Sequence, residues 1–191
     1  MTLDEAVSRR RSIRKFQSKG IPHENVIKIL NAGIDAPSGK NRQPWKFVVV
    51  QGESKNELIE ILKKGAEEHE DQEWKPWAMK SISTMNEAPV TILIFNQFGT
   101  NPLQETPIDQ KFQELVDIQS IGAAVENMAL KATDLGIGSL WICDVFIAYE
   151  EICSWCGQDC QLVAALTLGY PLENNTIRYR KSINESVEWR N

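Results

Sequence analysis

Histidine is scarce in this chain, with two in 191 residues, His23 and His69. The first falls in the opening turn of a predicted helix and the second in an acidic run. Both are expected at the surface, where His is ordinarily half exposed. Catalysis built on a Ser–His unit or a His-ligated metal is therefore not expected, and the motifs that accompany it are missing too. There is no G-x-S-x-G, no H-E-x-x-H and no G-x-x-x-x-G-K-[ST], which removes the usual esterase, zinc-protease and P-loop readings. Gly136-Ile137-Gly138 lacks the third glycine of a dinucleotide fingerprint and reads as a helix stop and turn. Long apolar runs are absent as well. The longest, APVTILIF at Ala88–Phe95, is far short of the roughly 20 residues of a membrane helix. The opening MTLDEAVSRR shows no charged-then-apolar leader pattern, so a cytoplasmic location with no membrane partner is the expectation.

Cysteine is confined to the last third, at Cys143, Cys153, Cys156 and Cys160, unlike a secreted disulfide framework. CSWCGQDC spaces three of them as C-x2-C-x3-C, and with Cys143 four thiolates could hold zinc or an iron–sulfur cluster. The same spacing puts Cys153 and Cys156 one turn apart on a short helix, where free Cys packs as a small hydrophobe. Packing is the preferred reading, and a Cys-based metal module is the alternative.

Charge is unevenly placed. The formal net charge is -5, from 21 Lys and Arg against 26 Asp and Glu. Residues 9–19 hold six cations (Arg9, Arg10, Arg11, Arg14, Lys15, Lys19) and no acid, leaving 15 cations against 26 acids elsewhere. A body so negative repels a phosphate backbone, which counts against nucleic acid. A small ligand with one phosphate needs only the local cluster.

With 42% hydrophobic and 25% charged residues, the chain fits one soluble α+β domain over 1–191 with a real core. Thr2 and Glu5 have capping-box spacing, predicting a helix over Leu3–Arg9. A second helix follows Pro22, with Val26, Ile29, Leu30, Gly33 and Ile34 on one face. It stops at APSGKNRQP, because Pro37 and Gly39 break it. KFVVV, PVTILIFN and Leu162–Leu168 read as buried strands, and SLWICDVF as a strand or extended passage. Ser54 and Glu57 form another capping box, opening a helix towards Gly65. The acidic, Trp-bearing stretch 67–87 reads as exposed helical structure lying over something else, and Gln97–Gln110 as a long loop. Asp117–Leu135 is a central helix buried on most sides, and Ala148–Cys156 a short one. After Gly169-Tyr170-Pro171 the chain turns polar, with no core of its own to fold on.

Two polar constellations stand out. In RRSIR, an extended backbone sends Arg10, Ser12 and Arg14 to one side and leaves Ile13 and Phe16 for the core. Two guanidinium groups and a hydroxyl converging this way suit a phosphate or an anionic ring, and the alternative is a solvated basic surface. The second is PSGKNRQPW at Pro37–Trp45, a hydroxyl, a bare Gly backbone, amides and an indole between rigid prolines. It suits a heteroaromatic ligand with carbonyls and ring nitrogens, and the alternative is an ordinary turn.

RRSIRKF, APSGKNRQPWKFVVV, GAAVENMALKATDLGIGSLWI and LGYP followed by RYRK together resemble the nitroreductase family of FMN flavoproteins, from about residue 3 to residue 181. The resemblance implies a central, mostly antiparallel sheet flanked by helices, in a homodimer with FMN sites at its interface and an extended C-terminal arm over about 172–191. It implies that Arg10 and Ser12 bind the FMN phosphate and ribityl, with Arg11 in the same segment, and that Arg14 meets the pyrimidine edge. Pro37, Ser38, Gly39 and Asn41 would serve the partner subunit's cofactor. Leu140, Trp141 and Ile142 would lie over the isoalloxazine with their backbone, and Arg178 and Arg180 would close on the phosphate. No side chain is implied as an obligatory catalytic acid or base, and no metal. The implied reaction is hydride transfer from NADH or NADPH through the flavin to an electron-poor small-molecule acceptor such as a nitroaromatic, quinone or activated enone. Packed or surface positions are the preferred reading of Trp74 and Trp77, and a roof over that site is the alternative. Some members consume the flavin itself. Deiodinase-like members carry a lid of Glu, Tyr and Lys in the region matching 57–71, where this chain has Glu and Lys but no Tyr. A non-catalytic flavin- or nucleotide-binding protein is the rival reading.

Overall fold

Two of the most apolar stretches become the adjacent central strands of the sheet. The computed structural model describes residues 1–69, 73–172 and 178–190. Its strands are β1 (Trp45–Gln51), β2 (Val90–Asn96), β3 (Gly138–Ile142) and β4 (Gln161–Gly169), in spatial order β1-β2-β4-β3 with every neighbouring pair antiparallel. β2 is buried along its whole length, so its sequence is continuously apolar rather than alternating.

The helices are α1 (Leu3–Arg9), α2 (His23–Ile34), α3 (Glu53–Glu68), α4 (Lys75–Glu87), α5 (Ile108–Asp134), α6 (Tyr149–Trp155) and the single turn α7 (Ile183–Ser186). α3, α4 and α6 cover one face of the sheet, and α2 and α5 the other. Leu58 and Leu62 of α3, Ile82 and Met85 of α4 and Ile152 of α6 pack with Leu93 and Phe95 of β2. On the other face, Val26 and Ile29 of α2 and Ile121, Val125 and Met128 of α5 pack with Ile92 and Ile94. The α+β architecture with a mostly antiparallel sheet is as the sequence implies.

The reciprocal Thr2–Glu5 capping box forms as expected at α1. Three other expectations change. The Ser54–Glu57 box does not cap α3, which begins at Glu53 behind Gly52 at φ 62 and runs past Gly65. Gly65 sits inside the helix because a Cβ there would come within 2.7 Å of the Ile147 carbonyl. The 67–87 stretch is not merely a cover. Its α4 buries Ala78, Ile82 and Met85, so its acidic composition describes the segment before the helix and not the helix itself. Finally, α5 starts at Ile108, directly behind Pro107, and not near Asp117. Its first turns stand outside the core and expose Ile108, Phe112, Leu115 and Val116.

Every described residue of 178–190 is exposed. Residues 173–177 and 191 of the expected arm, and 70–72 of the acidic stretch, lie outside the described residues.

Candidate functional site

The basic segment leaves α1, meets the free edge of β3 at Ser139 and passes on to Tyr170 and Pro171. Ser12 bridges Ser139 in parallel, and the Ile13 N–H donates to the Ser139 carbonyl at 2.9 Å. Ile13 and Phe16 are buried with Ala88, which pins the segment and turns its polar groups outward. Gly138 makes this approach possible, since a Cβ there would meet Ile13 Cγ1 at 2.6 Å. Arg10 is half-buried, with its Nε 3.0 Å from Glu126 Oε1 on α5. Arg11 donates to the Arg10 carbonyl at 2.7 Å, and exposed Arg14 to the Ser12 carbonyl at 3.2 Å. Lys15 pairs with Glu87.

Beyond Ser139 the outer edge of β3 has no strand partner among the described residues. Leu140 and Ile142 point into the core, whereas Trp141 is 42% exposed and its ring lies near Gly122 of α5. The structure therefore brings Arg10, Arg11, Ser12 and Arg14 to the same edge as Leu140, Trp141 and Ile142.

The Pro37–Asn41 loop sits elsewhere. The Gly39 N–H donates to Ser120 Oγ at 3.2 Å, and Ser38 Oγ accepts from the Gln43 N–H at 3.0 Å. Arg42 makes a two-pronged pair with Asp117, 3.1 Å on each arm, and its guanidinium lies 4.5 Å from the Phe98 ring centre. Asp117 is almost wholly buried, so the pair anchors the loop rather than decorating it. Lys40, Asn41 and Gln43 all hold positive φ, 53, 53 and 49, a conformation costly for non-glycine residues and kept by these contacts. Pro37 and Asn41 are exposed, Ser38 and Gly39 partly so. Asp117 and Glu126 are about two and a half helical turns apart. The loop and Arg10 therefore occupy opposite sides of α5. Arg178 and Arg180 are exposed on the tail, and neither bonds to residues 10–14 among the described contacts.

The cysteines are free thiols. Cys153, Cys156 and Cys160 pack against the core, and burial pushes all three up, Cys156 to about 11. Cys143 is likewise raised by burial and then by Asp144. No group of three or more His, Cys, Asp or Glu among the described residues is placed to hold a metal.

Sequence reasoning missed Asp117, Ser120 and Glu126, the α5 residues that fix the loop and Arg10. The available signal was polar and acidic side chains on a helix otherwise rich in small and apolar residues.

This fold recurs in known proteins. A Methanothermobacter thermautotrophicus protein designated an NADH dehydrogenase/NAD(P)H nitroreductase is 28% identical over 188 residues, covering 91% of this chain and 80% of that one. Iodotyrosine deiodinase of Hydra vulgaris is 28% identical over 202 residues, covering 94% and 70%. Among solved structures, a BluB-like flavoprotein from Clostridium difficile superposes with TM-score 0.82 at 27% identity over the whole of both chains. A Desulfovibrio desulfuricans protein described as a nitroreductase in complex with FMN gives 0.75 at 26%, covering 100% and 98%. The model of the nitroreductase family matches residues 7–170, which include the basic segment, the Pro37–Trp45 loop and β3. With the sheet, the basic edge and the anchored loop all in place, the chain belongs to the nitroreductase family.

Proposed function

We propose that the chain is an FMN-dependent oxidoreductase that takes a hydride from NADH or NADPH and delivers it to an electron-poor acceptor, a nitroaromatic, quinone or activated enone. The observation that carries this reading is the basic segment bridged to the free edge of β3 at Ser139, two residues from exposed Trp141. The donor set fits the cofactor. Guanidinium groups and a serine hydroxyl match a phosphate and polyol, and unpaired strand peptides match the heteroatoms of a flat ring. FMN, when bound, supplies the two-electron chemistry that no side chain here can supply.

The chain's own part is placement and charge. Glu126 holds the Nε edge of Arg10, which leaves the guanidinium's other nitrogens to face an anion. Arg14 lies four residues further along the same segment, where a fixed cation favours negative charge on a nearby ring. Ser38 and Asn41 cannot join this set within one chain, because α5 stands between. They join it if a second copy packs on the exposed apolar stripe of α5, which supports a homodimer in which each loop completes the other chain's site. Arg178 and Arg180 would reach the phosphate through the same assembly.

The test is the absorption spectrum of the pure protein, followed by FMN titration and NAD(P)H oxidation with and without acceptor. Flavin bands and acceptor-dependent oxidation are expected, and no FMN uptake on reconstitution overturns the reading. Arg10→Ala should weaken FMN binding by roughly 1.5–3 kcal/mol, the loss of a charge-assisted contact. Unchanged affinity would contradict the phosphate assignment. A yellow protein that fails to oxidise NAD(P)H in the presence of any acceptor would instead be a non-catalytic flavin-binding protein.

A further inference from the structure

Residues 9–19 carry six cations and no acid, so the segment repels itself when it is laid out in a row. Two carboxylates from distant helices relieve it. Glu126 of α5 takes Arg10 at one end, and Glu87, the last residue of α4, takes Lys15 Nζ at 2.5 Å at the other. Glu87 also accepts from the Phe16 N–H at 3.4 Å. The segment is bonded as well to the chain after β4, from the Gln17 N–H to the Tyr170 carbonyl at 2.9 Å and from the Leu172 N–H to the Lys15 carbonyl at 3.0 Å. Those bonds use neighbouring peptide groups and leave the Phe16 N–H to Glu87.

A carboxylate is a poor residue to end a helix, because it adds negative charge where the macrodipole is already negative. The last turn of α4 holds no cation of its own. Relief comes from outside, from Lys15 and from Lys55 of α3, whose Nζ lies 2.9 Å from the Asn86 carbonyl oxygen and 3.1 Å from that of Ala88. An acid kept at a local disadvantage marks a contact needed elsewhere, and both hydrogen bonds of Glu87 go to the basic segment. The contact sorts the cations. Lys15 is drawn to α4, where its charge is answered. Arg14, next to it, is exposed and donates to the Ser12 carbonyl at 3.2 Å, and no carboxylate answers it among the described residues.

Resting on the flavin reading above, we infer that Glu87 is a positioning residue for the cofactor. By fixing Lys15 and Phe16 it sets the backbone at Arg14 and leaves that guanidinium as the uncompensated charge beside the ring. A cation so placed favours the reduced, anionic flavin over the oxidised one. Both bonds of Glu87 are made within one chain, and α4 covers the sheet face opposite α5, the helix on which the second copy is proposed to pack.

Two measurements on the full-length protein test this, one with FMN and one without. In the first, the affinity for oxidised FMN and the midpoint potential of bound FMN are compared in the parent, Glu87→Gln and Glu87→Ala. Gln keeps an acceptor for the Phe16 N–H and loses the ion pair, whereas Ala loses both. Glu87→Ala should weaken reduced FMN about tenfold more than oxidised FMN, which lowers the midpoint by about 30 mV for a two-electron couple. Glu87→Gln should fall between the two. Arg14→Met should lower the midpoint likewise, and Glu87→Ala added to it should lower it no further. In the second, the FMN-free protein is digested briefly with trypsin and the cuts are mapped by mass. Cleavage after Arg14 and Lys15, relative to cleavage after Lys28 of α2, should be several-fold faster in Glu87→Ala than in the parent. The inference is overturned if the potential of Glu87→Ala matches the parent's, if the Arg14 and Glu87 effects add, or if the segment is cut no faster. If the parent takes up no FMN while Glu87→Ala still releases the segment to trypsin, the flavin reading falls and the grip of Glu87 on the segment stands.

Discussion

At the scale of single residues, environment decides what each reactive group does. The four thiols illustrate this. Their spacing alone permitted a metal site, but Cys153, Cys156 and Cys160 sit against apolar neighbours, and that burial disfavours their thiolates. Cys156 moves from an ordinary value of 9.0 to about 11. The folded chain thus holds this proton more tightly than the unfolded chain does. The stability it contributes is complete below pH 9 and is lost as pH rises from there towards 11. Urea midpoints measured at steps from pH 8 to pH 10.5 should fall, and fall less in Cys156→Ser. Parallel curves for the two proteins would show that Cys156 is not buried as described. Alkylation by iodoacetamide should be slow at neutral pH for the same reason. The residues of the basic segment were legible in the sequence because Arg, Ser and Arg at alternate positions of an extended chain share a side whatever surrounds them. Their partners were not. Glu126 meets Arg10 across more than a hundred residues, and nothing local announces such a pair.

At the scale of elements, legibility followed burial. β2 and β4 are apolar because both faces of the sheet are covered, and α1 was readable from its capping box. α4 was obscured because the acidic residues before it dominate the composition of the window. The start of α5 was obscured because its first turns have no core partner within the chain, so the usual contrast between buried and solvated faces is absent. The contact between β3 and the basic segment is a test of how elements place the site. Gly138→Ala puts a methyl where Ile13 Cγ1 lies 2.6 Å away, with Pro171 Cγ at 3.0 Å. One of these must give way, and overpacking of this kind costs about 1–3 kcal/mol. Denaturant unfolding should show that loss, and FMN affinity should fall with it as residues 10–14 are pushed from the β3 edge. Ile13→Ala makes room for the methyl, so the double variant should be more stable than the sum of the two single losses predicts. Strict additivity would mean that the two residues do not meet.

At the scale of the whole molecule, one apolar helix face is left exposed. Ile108, Phe112, Leu115 and Val116 recur at i, i+4, i+7 and i+8 along the outer face of α5, and all are exposed. An apolar stripe of this kind on a soluble protein marks a contact surface. The anchored loop lies on one side of α5 and the Arg10 edge on the other. Packing two copies along the stripe would bury it and bring the loop of one chain towards the basic edge of the other. This geometry makes two measurements rise or fall together. The parent protein should sediment as a dimer, whereas Phe112→Asp with Leu115→Asp, changes at exposed positions that leave the core intact, should give a folded monomer. Because Ser38 and Asn41 would then be out of reach, FMN affinity should drop in the monomer although every residue of the Arg10 edge is unchanged. A monomeric variant that binds FMN as tightly as the parent would show that each chain holds its cofactor alone, and that the loop is anchored to α5 for another purpose.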